Sequence, residues 1–321
     1  MKARTILRVL IYFNRSTDMT NLSHIVKPNT AAHKISVGIN GFGRFGLHLF
    51  RHWLTRYREA NFSINYINDA LHTTRTIAEA IKNDEVLGTL PHSLQYDDQN
   101  VFVDGGLAIG VSSVNSVLDI PWHNRVDMVF ECTGKFTERS LALQHLRGRV
   151  KRVLISASSL SADTILILGI NHHEYNPVKH NVISYGSCTV NAYLPIAKLL
   201  HDAFGLEESS VHVIHNTPLR DIQKPFGTIG RRGCTLEYVV PFFFPFLKDR
   251  FYATYRLVPY PGVSLMDMRF RLKKNPSADE VLKVLETAAQ GSLDIHLKID
   301  TANADPGQYI GNSSSAVIIA S

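Results

Sequence analysis

Cysteine, tryptophan and long apolar runs are all scarce in this 321-residue chain. The three cysteines, Cys132, Cys188 and Cys234, are odd in number and share no paired spacing, which excludes a disulfide framework and points to a reducing, cytoplasmic setting. No apolar stretch approaches the ~20 residues of a bilayer-spanning helix, so no membrane partner is expected. There is no internal repeat, no low-complexity linker and no expected metal site. Net charge is scarce too, outside one segment. The formal charge is +6, yet residues 1–34 hold Lys2, Arg4, Arg8, Arg15, Lys27 and Lys34 against the single acid Asp18. The remainder is close to neutral, which argues against a nucleic-acid partner. The basic start reads as an unordered leader, either a transit-type segment or a bland extension ahead of Met19, with Leu7 to Phe13 as a short apolar run.

What the chain has is 45% hydrophobic residues, enough to bury a large core in two domains. Ile35 to Ile39 reads as a buried strand running into Gly41-Phe42-Gly43-Arg44-Phe45-Gly46 and then an apolar helix, Leu47 to Trp53. This is G-x-G-x-x-G in a strand-to-helix context. Gly41 permits a tight turn, Gly43 lets backbone approach a pyrophosphate, Gly46 allows close helix packing, and the helix start offers N–H groups to an anion. A second strand, Ser63 to Ile67, ends in Asn68-Asp69, which puts a carboxylate 23 residues after Gly46. A carboxylate there binds a ribose diol and repels a 2′-phosphate, so the expected cofactor is NAD rather than NADP.

Cys188 lies in Ser187-Cys188-Thr189, ahead of an apolar-periodic stretch that runs to Gly205, with Thr189 as the expected cap. A thiol at a helix start is biased toward the thiolate. His215 follows 27 residues later in the β-like run Ser210 to Thr217, from which a return strand brings its imidazole to the sulfur. The bland alternative is a buried structural thiol and a satisfied sheet histidine.

From Ser36 to Gly186 strand-like segments (Val101–Val103, Met128–Glu131, Val153–Ser156, Ile165–Ile170) alternate with helical ones, including Arg139 to Leu146. Alternation predicts an α/β fold with a doubly wound, parallel Rossmann-type sheet. After Cys188 the pattern becomes one long helix, β-rich segments and a helix at Ala278 to Ala289, an α+β catalytic domain. The expected boundaries are 1–34 for the leader, 35–187 for the NAD-binding domain and 188–321 for the catalytic domain.

Ile39-Asn-Gly-Phe-Gly-Arg, Ile67-Asn-Asp, Pro121-Trp122, Glu131-Cys-Thr-Gly-Lys-Phe-Thr, Ile155-Ser-Ala, Gly169-Ile-Asn and Ser187-Cys-Thr-Val-Asn, in this order, resemble the glyceraldehyde-3-phosphate dehydrogenase family. Leu200-His-Asp-Ala-Phe-Gly, Lys248-Asp-Arg-Phe and Ala288-Ala-Gln-Gly look closer to its erythrose-4-phosphate dehydrogenase branch. The resemblance implies NAD-dependent oxidation of a small phosphorylated aldehyde through a Cys188 thiohemiacetal and thioester, in a homo-oligomer, usually a tetramer. It further implies His215 as general base, the Cys188 N–H as oxyanion donor, and Thr133, Gly134 and Ser156 in the cofactor cleft beside Arg44 and Phe45. Ser187, Thr189, Thr217 and Arg256 would bind substrate, Arg256 gripping its phosphate.

Three departures oppose a full match. Pro218 stands where the family has a phosphate-binding threonine, Phe242 to Phe246 is read as replacing a phosphate-binding Ser/Thr-Gly stretch, and the sequence stops at Ser321, ahead of the family's Asn-Glu-Trp-Gly segment. The first two predict water rather than phosphate as acyl acceptor. All three leave open a truncated, impaired paralogue that binds NAD or a protein partner.

Overall fold

The computed structural model describes residues 4–11, 34–217, 233–260, 263–302 and 305–320. They fall into two compact units, 34–166 with 173–186, and 4–11 with 167–172 and 187–320. Among the described residues no helix is long and apolar enough to cross a membrane.

The first described residues lie in the second unit. Arg4–Ile11 forms strand β1, paired antiparallel on both sides with strands from the far end of the sequence. Where the sequence reading expects an unordered leader, residues 4–11 are therefore an interior strand. A short apolar run such as RTILRVLI suits a strand flanked on both sides as well as it suits a signal-type segment.

The first unit holds β2 (Ile35–Asn40), α1 (Arg44–Leu54), β3 (Phe62–Asn68), α2 (Thr74–Lys82), β4 (Asn83–Asp84), β5 (Gly88–Thr89), β6 (Leu94–Tyr96), β7 (Asn100–Val103), β8 (Leu107–Ser112), β9 (Met128–Glu131), α3 (Arg139–Ala142), β10 (Arg152–Ile155), β11 (Thr164–Ile165) and β12 (Val182–Ser184). Nine strands form one sheet in the order β11, β12, β10, β9, β2, β3, β8, β7, β6. Those from β11 to β8 are parallel, and β7 and β6 complete the edge antiparallel. Ile39, Ile64 and Ile67 are fully buried in the sheet, and α1 buries Leu47, Phe50, Trp53 and Leu54 at helical spacing. Each such side chain stabilises the fold by about 1.5–3 kcal/mol.

Two sequence expectations shorten. The strand at Ile165 to Ile170 stops at Ile165, because the chain turns where Ile170 N–H donates to Ile167 O and Gly169 takes a φ of +81°. The helix at Arg139 to Leu146 stops at Ala142, and a tight 3-10 turn, Leu143–His145, carries His145 into the core.

The second unit continues with α4 (Cys188–Phe204), β13 (Leu206–Asn216), α5 (Leu236–Phe243), β14 (Phe251–Val258), β15 (Ser264–Leu272), α6 (Ala278–Ala289), β16 (Leu297–Asp300) and β17 (Ala316–Ile319). Its sheet runs β14, β13, β15, β1, β17, β16 and is mixed in direction. Helix α4 buries Val190, Tyr193, Leu194, Ala197 and Leu200, and the Tyr193 ring stacks on Phe270 of β15 at 5.8 Å. Gly205 ends the helix at φ +74°, and the cap is Ser187, not Thr189: the Ser187 side chain accepts from Val190 N–H. Thr189 lies two residues past the cap, inside the first turn, and cannot fill that role.

Candidate active site

At the carboxyl end of β2 the chain turns through Gly41 at φ +92°, and its N–H donates to Asn68 O at 2.8 Å. A Cβ on Gly41 would lie 2.7 Å from Thr133 N, and one on Gly46 would lie 2.2 Å from Gly41 O. Both glycines are thus required by close backbone approach. A Cβ on Gly43 would meet nothing within 4 Å, and neither a side-chain cap nor a first-turn acid covers the start of α1. That open, electropositive helix start fits a pyrophosphate. The flanking β3 and β9 lie on opposite sides of β2, which makes this the switch point of the sheet.

Asp69 follows β3. Its Oδ2 accepts from Phe42 N–H at 2.6 Å, and its Oδ1 accepts from Leu71 N–H and lies 2.9 Å from His72 Nδ1. Burial pushes the carboxyl up, but the N–H bonds from Phe42 and Leu71 and the contact with His72 outweigh it, so the carboxyl sits below its ordinary value. Thr133 and Gly134 follow β9, and Ser156 follows β10. The structure therefore gathers Gly41, Asp69, Thr133, Gly134 and Ser156 along one sheet edge. Arg44 and Phe45 open α1, both half-buried. Phe42 is different: its ring is buried against Phe50 at 5.8 Å, so the side chain belongs to the core and only its backbone faces the loop.

In the second unit Cys188 opens α4, and its Sγ lies 3.5 Å from His215 Nε2 near the end of β13. His215 Nδ1 is 2.8 Å from Asn216 O. A carbonyl only accepts, so the imidazole proton sits on Nδ1 and the Nε2 lone pair faces the thiol. Ser264 holds that peptide from β15: its Oγ accepts from Asn216 N–H at 3.3 Å and donates to Asn216 Oδ1 at 3.0 Å. Hydroxyls gather at the start of α4. Ser187 Oγ is 3.1 Å from Thr189 Oγ1 and 2.8 Å from Thr235 Oγ1.

The other thiols are held protonated. Burial pushes Cys132 far up, with the Glu131 carboxylate adding to it, and burial takes Cys234 to about 11.

The structure does not bring Arg256 to this pair. In the parallel β13/β14 register His215 faces Leu257, while Arg256 pairs with Ile214, so side-chain alternation puts Arg256 on the opposite face. Its Nη1 donates to Tyr255 O. Thr217 is buried, with its N–H donating to Val258 O, and Pro218 lies outside the described residues.

The far end of the Phe242 to Phe246 run is also remote from the thiol. Phe246 stacks on His201 at 4.3 Å, 13 residues or ~20 Å along α4 from Cys188. Phe246, with the Phe244 ring 5.7 Å from it, therefore stands by His201 and not at the sulfur. The hydroxyl brought to Ser187 comes from Thr235, ahead of α5. Sequence reading missed Thr235 and Ser264, since only pairing across the fold carries them to Ser187 and Asn216, and it missed the role of the Asn216 carbonyl beside His215. Glu131 left a signal: an acid closing the apolar strand Met-Val-Phe-Glu demands a buried partner.

A dinucleotide cradle on one sheet and a thiol–imidazole pair on the other define an NAD-dependent dehydrogenase that works through a covalent thiol intermediate. Comparison with known proteins narrows the class. The NAD binding domain of glyceraldehyde 3-phosphate dehydrogenase matches residues 35–139, and the C-terminal domain of the same family matches residues 187–321. Glyceraldehyde-3-phosphate dehydrogenase 2 of Streptomyces avermitilis is 34% identical over 294 residues, 88% of this chain and 87% of that protein. Glyceraldehyde-3-phosphate dehydrogenases of Priestia megaterium and Geobacillus stearothermophilus are each 32% identical over 297 residues, with the same coverage. The chain belongs to the glyceraldehyde-3-phosphate dehydrogenase family, and its cofactor is NAD.

Proposed function

We propose that the protein oxidises a small phosphorylated aldehyde, with glyceraldehyde-3-phosphate favoured by its relatives' activity, and that inorganic phosphate accepts the acyl group. The observation that carries this reading is the 3.5 Å approach of Cys188 Sγ to a His215 Nε2 whose lone pair is aimed at it. The Cys188 sulfur, its proton passed to His215 Nε2, attacks the aldehyde carbon to form a C–S bond. The resulting oxyanion, stabilised by the Cys188 N–H at the start of α4, takes that proton back from Nε2 to become the hemiacetal hydroxyl. One such donor is worth ~3–4 kcal/mol. Bound NAD supplies the hydride acceptor. As the hydride leaves carbon, His215 Nε2 takes the proton from the hemiacetal hydroxyl, and the remaining thioester is cleaved when an acceptor displaces the thiolate.

Phosphate is favoured over water by the Ser187, Thr189 and Thr235 hydroxyls, gathered at the start of α4, as donors for a tetrahedral anion. The segments that resemble the erythrose-4-phosphate branch bear less on substrate choice. Leu200 is 12 residues along α4 from Cys188, ~18 Å. The four-carbon aldehyde is thus the second substrate to test. A homo-oligomer is expected from the resemblance, and light scattering of purified protein would measure it. The central assay follows NADH absorbance with each aldehyde, with and without phosphate, in wild type and Cys188→Ala. Saturable dependence on phosphate, abolished by Cys188→Ala, is the expected result. One NADH equivalent without turnover would favour the impaired paralogue, and a rate indifferent to phosphate would return water as acceptor.

A further inference from the structure

Four adjacent parallel strands of the NAD-binding unit end in polar residues: Ser112 on β8, Asn68 on β3, Asn40 on β2 and Glu131 on β9. The ladder places them in one row, Ser112 opposite Asn68, Asn68 opposite Asn40, Asn40 opposite Glu131. Their side chains are hydrogen-bonded end to end. Ser112 Oγ donates to Asn68 Oδ1 at 2.7 Å, Asn68 Nδ2 to Asn40 Oδ1 at 2.8 Å, and Asn40 Nδ2 to Glu131 Oε2 at 2.6 Å. Every bond points the same way, and Glu131 terminates the row.

Glu131 is 1% exposed. It accepts from His145 Nε2 at 2.9 Å, and on its second oxygen from the N–H and hydroxyl of Thr133. His145 is equally buried and its Nδ1 has no hydrogen-bond partner among the described residues, so the imidazole carries its proton on Nε2 and donates. One carboxylate thus collects four donors, which is how a buried anion is tolerated.

Gly41 and Asp69 directly follow Asn40 and Asn68, and Thr133 lies two residues after Glu131; these are the turn and flanks of the dinucleotide cradle. We infer that Glu131 is a positioning residue for NAD: it does not touch the cofactor, but by ending the donor row it fixes Thr133 against Gly41 and sets the spacing of the strand ends beneath the pyrophosphate. Glutamine cannot do this. Its NH2 group would face either the Thr133 donors or those of Asn40 and His145, leaving buried donors opposed and the row free to reverse. The inference rests on NAD binding by this unit and not on Cys188 chemistry.

Calorimetric titration with NAD, well below the unfolding temperature, tests it. Glu131→Gln should bind NAD at least tenfold more weakly, while iodoacetamide alkylates Cys188 at the wild-type rate. Asn40→Asp combined with Glu131→Gln offers the new NH2 an acceptor and should recover part of the lost affinity. Val153→Ala, a buried cavity in the same sheet away from the row, serves as the control for lost stability and should bind NAD within twofold of wild type. If Glu131→Gln does not fold, Ser112→Ala, at the half-buried end of the row, should still cost two- to fivefold in affinity. Unchanged affinity in the variant that folds, a matching loss in Val153→Ala, or a double variant no better than the single one would overturn the inference.

Discussion

The two units reach their sites by opposite routes. In the NAD-binding unit, β2, the glycine turn and α1 are consecutive, so most of the cradle lies within 35 residues of chain, from Ile35 to Asp69. In the catalytic unit the sheet is closed by β1, which bridges β15 and β17 from more than 250 residues away, and the thiol and imidazole come from a helix and a strand held together by that sheet. A site built from local chain tolerates loss of distant segments. One built from non-local pairing does not, because the loop closures it requires are rewarded only when every strand is present.

The sharpest break of this comparison is removal of residues 1–18, so that the chain begins at Met19. The catalytic sheet then loses the strand joining β15 to β17. The expected outcome is loss of dehydrogenase activity and of cooperative unfolding in the catalytic unit, with NAD binding retained, read by calorimetry and circular dichroism. Full activity from the shortened chain would refute the interior placement of β1.

His215→Asn tests the non-local pair directly. Turnover should fall by about 10²–10⁴, the range for loss of a general base, and alkylation of Cys188 should slow while NAD affinity holds. In wild type, limited labelling should reach Cys188 well before Cys132 or Cys234, whose thiols burial keeps protonated. Faster labelling at either would remove Cys188 from its role.

On the local side, Asp69→Asn should weaken NAD about tenfold and relax discrimination against NADP, since one carboxylate to ribose contact is worth ~1.5 kcal/mol. Competitive titration of both cofactors measures it; unchanged NAD affinity would place ribose recognition elsewhere.

The smallest effect concerns acid. Asp84 accepts from Val86 and Leu87 N–H and lies 3.2 Å from His48 Nε2. Burial opposes ionisation, but the His48 contact and the two N–H bonds outweigh it and hold the carboxyl far below its ordinary value. A depressed folded-state pKa stabilises the fold above the unfolded value of about 3.9, and that stability is lost as pH falls below it. Between pH 5 and pH 2.5 the wild-type melting temperature should therefore drop by a few degrees more than that of Asp84→Asn. Equal slopes would show that Asp84 does not contribute.

Short-range features were legible. The glycine turn, Asp69, the helix behind Cys188 and the limits of α6 follow from residues a few positions apart, and spacing along the chain records those directly. Arg256 shows where this fails: its place in a motif says nothing about the face it takes, and a one-residue difference of register in β14 moves a side chain across the sheet. Phe242 to Phe246 fails in the same way. Its composition is plain, but its distance from the thiol depends on how α5 packs along α4.

The amino-acid sequence by itself determined the family, the cofactor, the nucleophile and the alternation that gives a parallel sheet, because each rests on chemistry carried by a few neighbouring residues. Tertiary structure decided the rest. It placed Arg4–Ile11 inside the catalytic sheet, aligned Ser112, Asn68, Asn40 and Glu131 in one donor row, and chose the proton position on His215 through Asn216 O. Those outcomes depend on strand pairing and register between residues far apart in the chain, and no periodicity within a single segment encodes them.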